Sequence, residues 1–381
     1  MEEFDEDEEE EELPPPAEVT PGLFGKWRSP RFGNNNPERM DNPVWEWLIR
    51  SQVNAFRANE LLAGPSPFEA GPGWCFDRLG QSSTKLPDER EVLIAGEHED
   101  SYDPDFFIYN DVVIKQPDGR IEIYGYPEDV FPPTDFHSAT LVGDEMVIIG
   151  SLGNPGQRVP GCTPIYILEL DSWSIRPVQT SGPAPGWIHS HTATLSDDPR
   201  SLLIRCGKLQ RDDEDTLVEN IDEWRLHLGD WRWERLTDRK WKRWELTRED
   251  GELNSLWDYE QAAWSKQFPD ADEASGGLTQ ILEELEMPTL EQKLGGPPDL
   301  NLFESLYEPP LGFAALSDLE AEYGVKRIRL DGVIVRYVQD SHSIQVTIEG
   351  ELSQQTLDVI INDLTDKFAR LEKAEIDLIV L

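Results

Sequence analysis

The sequence predicts a mainly β protein: about three four-stranded units in an incomplete or open propeller-like stack, with helical flanks and a small C-terminal α+β unit of ββαβ order. Three observations lead there. Short apolar runs end in glycine at Val92-Leu93-Ile94-Ala95-Gly96, Val147-Ile148-Ile149-Gly150 and Leu203-Ile204-Arg205-Cys206-Gly207, with the glycines 54 and 57 residues apart. Each run is followed by a polar, turn-rich stretch, an alternating segment (108–114, 165–170, 220–228) and a further run beginning at Ile121, Ile175 and Trp233. Beyond residue 241 this period fades, and helical spacing gives way to a mixed strand and helix texture.

Ahead of the glycine-ended runs stand Gly80-Gln81-Ser82-Ser83-Thr84, His137-Ser138-Ala139-Thr140-Leu141 and His189-Ser190-His191-Thr192-Ala193-Thr194-Leu195, so each unit reads as four strands. Period-two alternation and turn dipeptides such as Asp118-Gly119 join them as hairpins. A four-stranded unit repeating every 50 to 58 residues suggests a propeller blade, and a closed ring needs at least four.

The flanks follow in chain order. Residues 1–20 form an acidic tail, because the run from Glu2 to Glu12 holds ten carboxylates interrupted by Phe4 and cannot bury enough apolar area to fold. Residues 21–73 form a helical arm. Its apolar positions Trp45, Trp47, Leu48, Ile49, Val53, Phe56 and Leu61 predict one amphipathic helix over 43–62, capped by Asp41 or Asn42 and packed on the repeats. The repeats occupy 74–245. In 246–312, Leu256, Trp257, Glu260, Ala263 and Trp264 predict a helix near 253–268, a second is expected near 278–286, and the Pro/Gly-rich 287–312 reads as a linker. In 313–381, segments 327–338 and 343–348 read as strands, 354–371 as a helix capped by Ser353, and 376–381 as a terminal strand. A unit of that size is marginal alone, so it is expected to dock on the core or pair with a second copy.

Charge narrows the function. A net charge of -42 repels phosphate backbones and anionic lipids and attracts basic partners, so neither nucleic acid nor membrane is an expected ligand. No apolar run approaches the roughly 20 residues that span a bilayer, and the N-terminus is acidic, so a cytoplasmic location is expected. Cys75, Cys162 and Cys206 are scattered and odd in number, which argues against a disulfide framework. Seven of the thirteen tryptophans fall between Trp224 and Trp264, where they are expected to pack elements together.

The order Phe136-His137-Ser138-Ala139-Thr140-Leu141, an apolar run to Gly150, Tyr166-Ile167-Leu168-Glu169-Leu170 with Trp173, then Thr180-Ser181-Gly182-Pro183-Ala184-Pro185 resembles the Kelch repeat. The likeness covers roughly 74–240 and is best over 132–186. Gly150-Ser151 and Gly207-Lys208 stand where the family has a glycine pair. The resemblance implies a β-propeller-like scaffold for protein recognition, in which the strand histidine makes a hydrogen bond between blades.

Several constellations hold residue types suited to chemistry. His189-x-His191 on a strand would project both imidazoles to one face, with His137 at the equivalent place one unit earlier. With Cys206 or Glu97-His98-Glu99-Asp100, these are residue types that ligate metals. The carboxylate-dense segment Glu97, His98, Glu99, Asp100, Asp103 and Asp105 misses the spacing of a calcium loop and reads as an exposed rim loop able to meet a basic partner. Serine-nucleophile and phosphate-binding motifs are absent. Segment 239–244, Arg-Lys-Trp-Lys-Arg-Trp, is expected to make internal salt links. The expected function is non-enzymatic recognition of a basic protein, for instance a toxin neutralised by an immunity-type partner, with no cofactor and with a homo-oligomer as an option. The alternative is a metal-dependent hydrolase or oxidase using His137, His189 and His191.

Overall fold

The computed structural model describes residues 13–65, 71–98, 106–210, 217–268, 288–315 and 324–381. The whole acidic run Glu2–Glu12, the rim-loop residues Glu99, Asp100, Asp103 and Asp105, and the helix expected near 278–286 lie outside them. The described chain is mainly β, with several small antiparallel sheets and seven α-helices among the described residues. It divides into two compact units, Met1–Arg239 and Lys240–Leu381.

The first unit opens with α1 (Pro21–Trp27), β1 (Glu38–Arg39), α2 (Pro43–Ser51) and α3 (Ala55–Leu61). Asn42 caps α2 by accepting from the Trp45 amide, and Asn54 caps α3 by accepting from Arg57. The single helix expected over 43–62 is therefore two. Gln52 ends α2 in the left-handed region at φ 55°, and Asn54 restarts the chain as a cap. Val44, Trp45, Trp47, Leu48 and Ile49 of α2 are buried against Leu93, Val113, Ile121 and Ile123 of the first sheet. At about 1.5–3 kcal/mol per fully buried large side chain, this docking is a substantial part of the unit's stability.

Three sheets follow. The first contains β2 (Ser82–Lys85), β3 (Glu91–Ile94), β6 (Val112–Lys115) and β7 (Ile121–Gly125) in order, with β1 on the β7 edge; a hairpin of β4 (Glu97–His98) and β5 (Phe107–Ile108) projects between β3 and β6. The second contains β8 (Ser138–Val142), β9 (Glu145–Ile149), β10 (Ile165–Glu169) and β11 (Ile175–Pro177). The third contains β13 (Thr192–Leu195), β14 (Ser201–Arg205), β17 (Trp224–His227) and β18 (Arg232–Arg235). Beside it lies a small sheet of β12 (Ile188–His189), β15 (Lys208–Gln210) and β16 (Leu217–Glu219). Each main sheet is thus an up-and-down meander of the four strands expected for its repeat.

Period two explains why the runs are so continuously apolar. On β9, Met146 and Ile148 pack with Val92, Ile94, Val112 and Ile114 of the first sheet, while Val147 and Ile149 pack with Leu202, Ile204, Leu226 and Trp233 of the third. The middle sheet is covered on both faces, so neither set of alternate residues is polar. The outer face of the third sheet carries Arg225, His227 and Glu234 in one ion-pair group, with Arg225 and His227 both 3.0–3.1 Å from Glu234. That face meets water, whereas the helices cover the opposite end of the stack.

The second unit has a six-stranded sheet ordered β20 (Ala314–Ala315), β21 (Val325–Leu330), β22 (Val333–Gln339), β23 (Ser343–Glu349), β19 (Lys242–Arg248) and β24 (Ile376–Val380). Against it pack α4 (Leu256–Gln267), α5 (Leu290–Leu294), α6 (Leu300–Glu304) and α7 (Gln354–Glu372), whose Leu357, Ile360, Ile361, Leu364, Phe368 and Leu371 form the expected buried stripe. Four features of this unit depart from the expectations. Segment 327–338 is not one strand, because Asp331 and Gly332 turn it at φ 48° and 84° into the β21–β22 hairpin. The expected linker 287–312 instead holds α5 and α6, the former with a Thr289/Gln292 capping box. Strand β19, placed among the repeats by its position, pairs with β23 and β24 of the C-terminal sheet. Trp257 and Trp264 are also 48% and 45% exposed, outside the packing role expected of the tryptophan-rich stretch.

Among the described residues, no helix is long and apolar enough to cross a membrane.

Candidate functional site

The sequence-selected histidines lie along the seam where the first strands of neighbouring sheets meet. Immediately before β2, β8 and β13 the chain places Gly80, Phe136 and Ser190 in the left-handed region, at φ 62°, 46° and 52°. They are chained by backbone hydrogen bonds: the Phe136 amide donates to Gly80 at 2.9 Å and the Ser190 amide to Phe136 at 2.7 Å. A non-glycine residue held there stores about 1–2 kcal/mol, which the surrounding packing must offset. Glycine is required at the first step, since a Cβ on Gly80 would lie 2.5 Å from the Phe136 nitrogen.

The residues after these three are Gln81, His137 and His191. His137 shares a hydrogen bond with the Ser82 hydroxyl through Nε2 at 2.8 Å, and His191 does the same with Ser138 at 2.8 Å. In each pair the imidazole belongs to one sheet and the serine to the sheet before it. Gln81 occupies the same position in the first sheet, where its Nε2 donates to the Ala95 carbonyl at 3.2 Å. Ser82 and Ser138 were not singled out from sequence, although their spacing of 56 residues beside the histidine spacing of 54 was the available signal.

His189 stands apart. It closes β12 in the small sheet, and its Nδ1 meets the Ser190 hydroxyl at 3.0 Å. The expectation that His189 and His191 share one strand face fails because Ser190, at φ 52°, ends the strand between them. The position equivalent to His137 is His191 alone.

Burial is the main reason that all three imidazoles stay neutral. It pushes His137 down to about 3, with the neighbouring His191 adding to the effect. It pushes His189 down to about 3, helped by Lys208 and Arg158, and His191 down to about 4. Nδ1 of His137 and of His191, and Nε2 of His189, are buried without a hydrogen-bond partner. Among the described residues, no group of three His, Cys, Asp or Glu side chains is arranged to hold a metal ion.

Beside the seam a cleft of about 690 Å³ opens between the 132–134 turn and the ends of the second sheet. Asp135, fully buried, builds its floor by accepting from the Ser151 hydroxyl at 2.9 Å and from the Gly153 amide at 2.7 Å. The Trp187 indole donates to the Leu152 carbonyl at 3.1 Å, and the Arg158 guanidinium donates to Leu152 at 2.9 Å and to Gly153 at 3.1 Å. The walls offer Thr134, Ser151, Gln157, Gln179, prolines and the Trp187 ring, with no carboxylate, imidazole, ammonium or guanidinium group among the described lining residues. Such a surface can hold an uncharged, amphipathic segment by hydrogen bonds and apolar contact, and its lining groups able to exchange a proton are the Tyr166 hydroxyl and the Cys162 thiol. The lining thiol, Cys162, is exposed.

A second depression, of about 520 Å³, lies at the hairpin ends of the first two sheets. Asp88, Asp144 and Asp171 line it, with Arg90 over the Trp173 ring at 5.1 Å. Asp88 is paired with Arg90 at 2.8 Å, whereas Asp144 and Asp171 have no ion-pair partner among the described residues. Of the rim-loop candidates, Glu97 is half-buried in β4 and His98 is buried at 4% exposure. His98 is therefore not an exposed contact, because β4 folds onto β5 and carries it inward. The basic segment at 239–244 makes the expected salt link, with Arg239 2.9 Å from Glu223.

No known protein-family model matches the chain. Among solved structures, one titled "Structure of YjhT" is similar at 11% identity and a TM-score of 0.28, over 45% of this chain and 76% of that one. A likeness at that score carries no argument.

Proposed function

We propose that the chain is a non-enzymatic recognition protein: an open stack of three Kelch-like blades that binds a basic protein partner. The observation that carries this reading is the fate of the candidate catalytic groups. The three histidines are buried, neutral and engaged with serine hydroxyls, and the 690 Å³ cleft is lined by no carboxylate, imidazole, ammonium or guanidinium group among the described residues. What remains exposed is a surface of strong negative charge, in a chain of net charge -42, with unpaired Asp144 and Asp171 at one rim. Charge of that sign raises the encounter rate with a cationic partner and disfavours anionic ones. Neutralisation of a basic toxin is one role this chemistry suits. The blade reading rests on the repeated four-strand order and on the His-to-Ser hydrogen bond that recurs between sheets, the element that the Kelch resemblance leads one to expect.

Metal analysis tests the reading against the hydrolase or oxidase alternative. The purified full chain, titrated with zinc and with manganese, is expected to bind neither stoichiometrically. About one metal per chain, lost in His189→Ala, would overturn the proposal and turn attention to the buried ring nitrogens.

A further inference from the structure

Among the described residues, the C-terminal sheet ends on one side in the two-residue strand β20 and on the other in β24, which pairs with β19 alone. Edge strands are ordinarily protected by lysine, proline, a bulge or extreme shortness. β24 has none of these. Its five residues, Ile-Asp-Leu-Ile-Val, carry one charge, and Leu378, Ile379 and Val380 are 43%, 41% and 70% exposed.

The ladder fixes which backbone groups face outward. The Leu381 amide donates to Arg243 and the Glu249 amide to Glu375, so the odd-numbered residues 375 to 381 bond inward to β19. By the alternation of antiparallel pairs, the N–H and C=O of Ile376, Leu378 and Val380 point to the open side. The side chains of the same three residues share the face of Trp244 and Leu246 opposite them on β19. Leu246 is fully buried in the core under α7, so the apolar face continues beyond its cover to the edge.

We propose that β24 is a self-association edge: two copies of the chain pair their β24 strands antiparallel about a twofold axis at Leu378, joining two six-stranded sheets into one. The strand is self-complementary in that register. Leu378 meets Leu378 of the second copy, and Ile376 meets its Val380, so every outward-facing residue falls in a hydrogen-bonded pair. On the opposite face Asp377 meets Ile379 of the second copy, and the two Asp377 carboxylates do not face each other. A one-residue slip would bring outward-facing groups opposite inward-facing ones and lose the bonds. Because both copies are strongly acidic, screening by salt tightens this contact, the opposite of its effect on a basic partner.

The test is the mass of the full chain in solution, at low and at moderate salt. The wild type is expected to reach twice 43.5 kDa, more readily as salt rises. Leu378→Pro removes an amide that the β19 ladder does not use, and it is expected to weaken the dimer by about tenfold or more. Val380→Lys, at a largely exposed side chain, is expected to do the same and carries the test should the proline variant not fold. Register is read by oxidative cross-linking in a Cys162→Ser, Cys206→Ser background: Leu378→Cys links the two copies to each other and Ile379→Cys does not. A wild type that stays monomeric at its highest soluble concentration would overturn the proposal. So would a dimer unaffected by both substitutions, or a cross-link through Ile379→Cys and not Leu378→Cys.

Discussion

Acidification should destabilise this protein through its histidines, by an amount that can be worked out in advance. The perturbation is a change from pH 8 to pH 5, compared between the wild type and a His137→Gln, His191→Gln double variant. Burial holds His137 at about 3 and His191 at about 4, whereas an unfolded histidine titrates at about 6.5. As pH falls below that value the unfolded chain takes up protons that the folded chain refuses. This contribution to stability is complete above about 6.5 and is lost progressively as pH falls toward the folded values. At pH 5 each imidazole has cost roughly 2 kcal/mol, and the pair roughly 4 kcal/mol. Carboxylates also respond to pH, but they do so in both proteins and cancel in the comparison. Glutamine is the chosen substituent because Gln81 fills the equivalent position in the first sheet and keeps a side-chain amide there. Urea unfolding at both pH values gives the two stabilities. The double variant should lose about 4 kcal/mol less than the wild type on acidification. An unchanged pH dependence would refute the claim that these rings are held neutral between the sheets.

Other outcomes follow from single contacts. The Arg78 side chain is fully buried, bonds both oxygens of Asp111 and the carbonyls of Cys75 and Ala95, and lies 3.4 Å from the Tyr109 ring centre. Arg78→Met leaves Asp111 as an unpaired buried charge and should cost about 3–5 kcal/mol in urea unfolding. Gly150 sits at φ 74° with the Ile188 carbonyl where a Cβ would go, so Gly150→Ala should cost roughly 3 kcal/mol or more. Gly119→Ala, at φ 83° in open space, should cost only about 1 kcal/mol, and equal effects of the two would count against the close sheet-to-sheet approach. Ser353 caps α7 by accepting from the Thr356 amide at 3.1 Å, and Ser353→Ala should lower stability by about 1 kcal/mol in thermal melts.

The repeats were legible because β3, β9 and β14 are apolar on both faces and end at a fixed interval. The interval itself is read more accurately in the structure. Ala95, Gly150 and Cys206 are the equivalent positions, each following its strand with φ between 53° and 74°, so the glycines at 96 and 207 come one residue late. Alanine and cysteine in the left-handed region give no signal in a sequence, and the same is true of Ser190, which separates His189 from His191. The Asp331-Gly332 hairpin was written in the sequence, but the alternation of Arg327 to Val338 runs smoothly through it and hid the turn. Strand β19 could not be assigned from its neighbours, because the strands it pairs with are a hundred and more residues away. The acidic character of the chain came from composition, while the uncharged walls of the 690 Å³ cleft depend on loops brought together by Asp135 and Arg158.

The central claim, recognition of a basic partner, is met most directly by affinity capture on the immobilised full chain from the native cell extract, washed first at low and then at moderate salt. The account predicts one basic protein retained in a fixed ratio and released as salt rises. Retention of no basic protein at low salt, or of a partner that salt does not release, would contradict it.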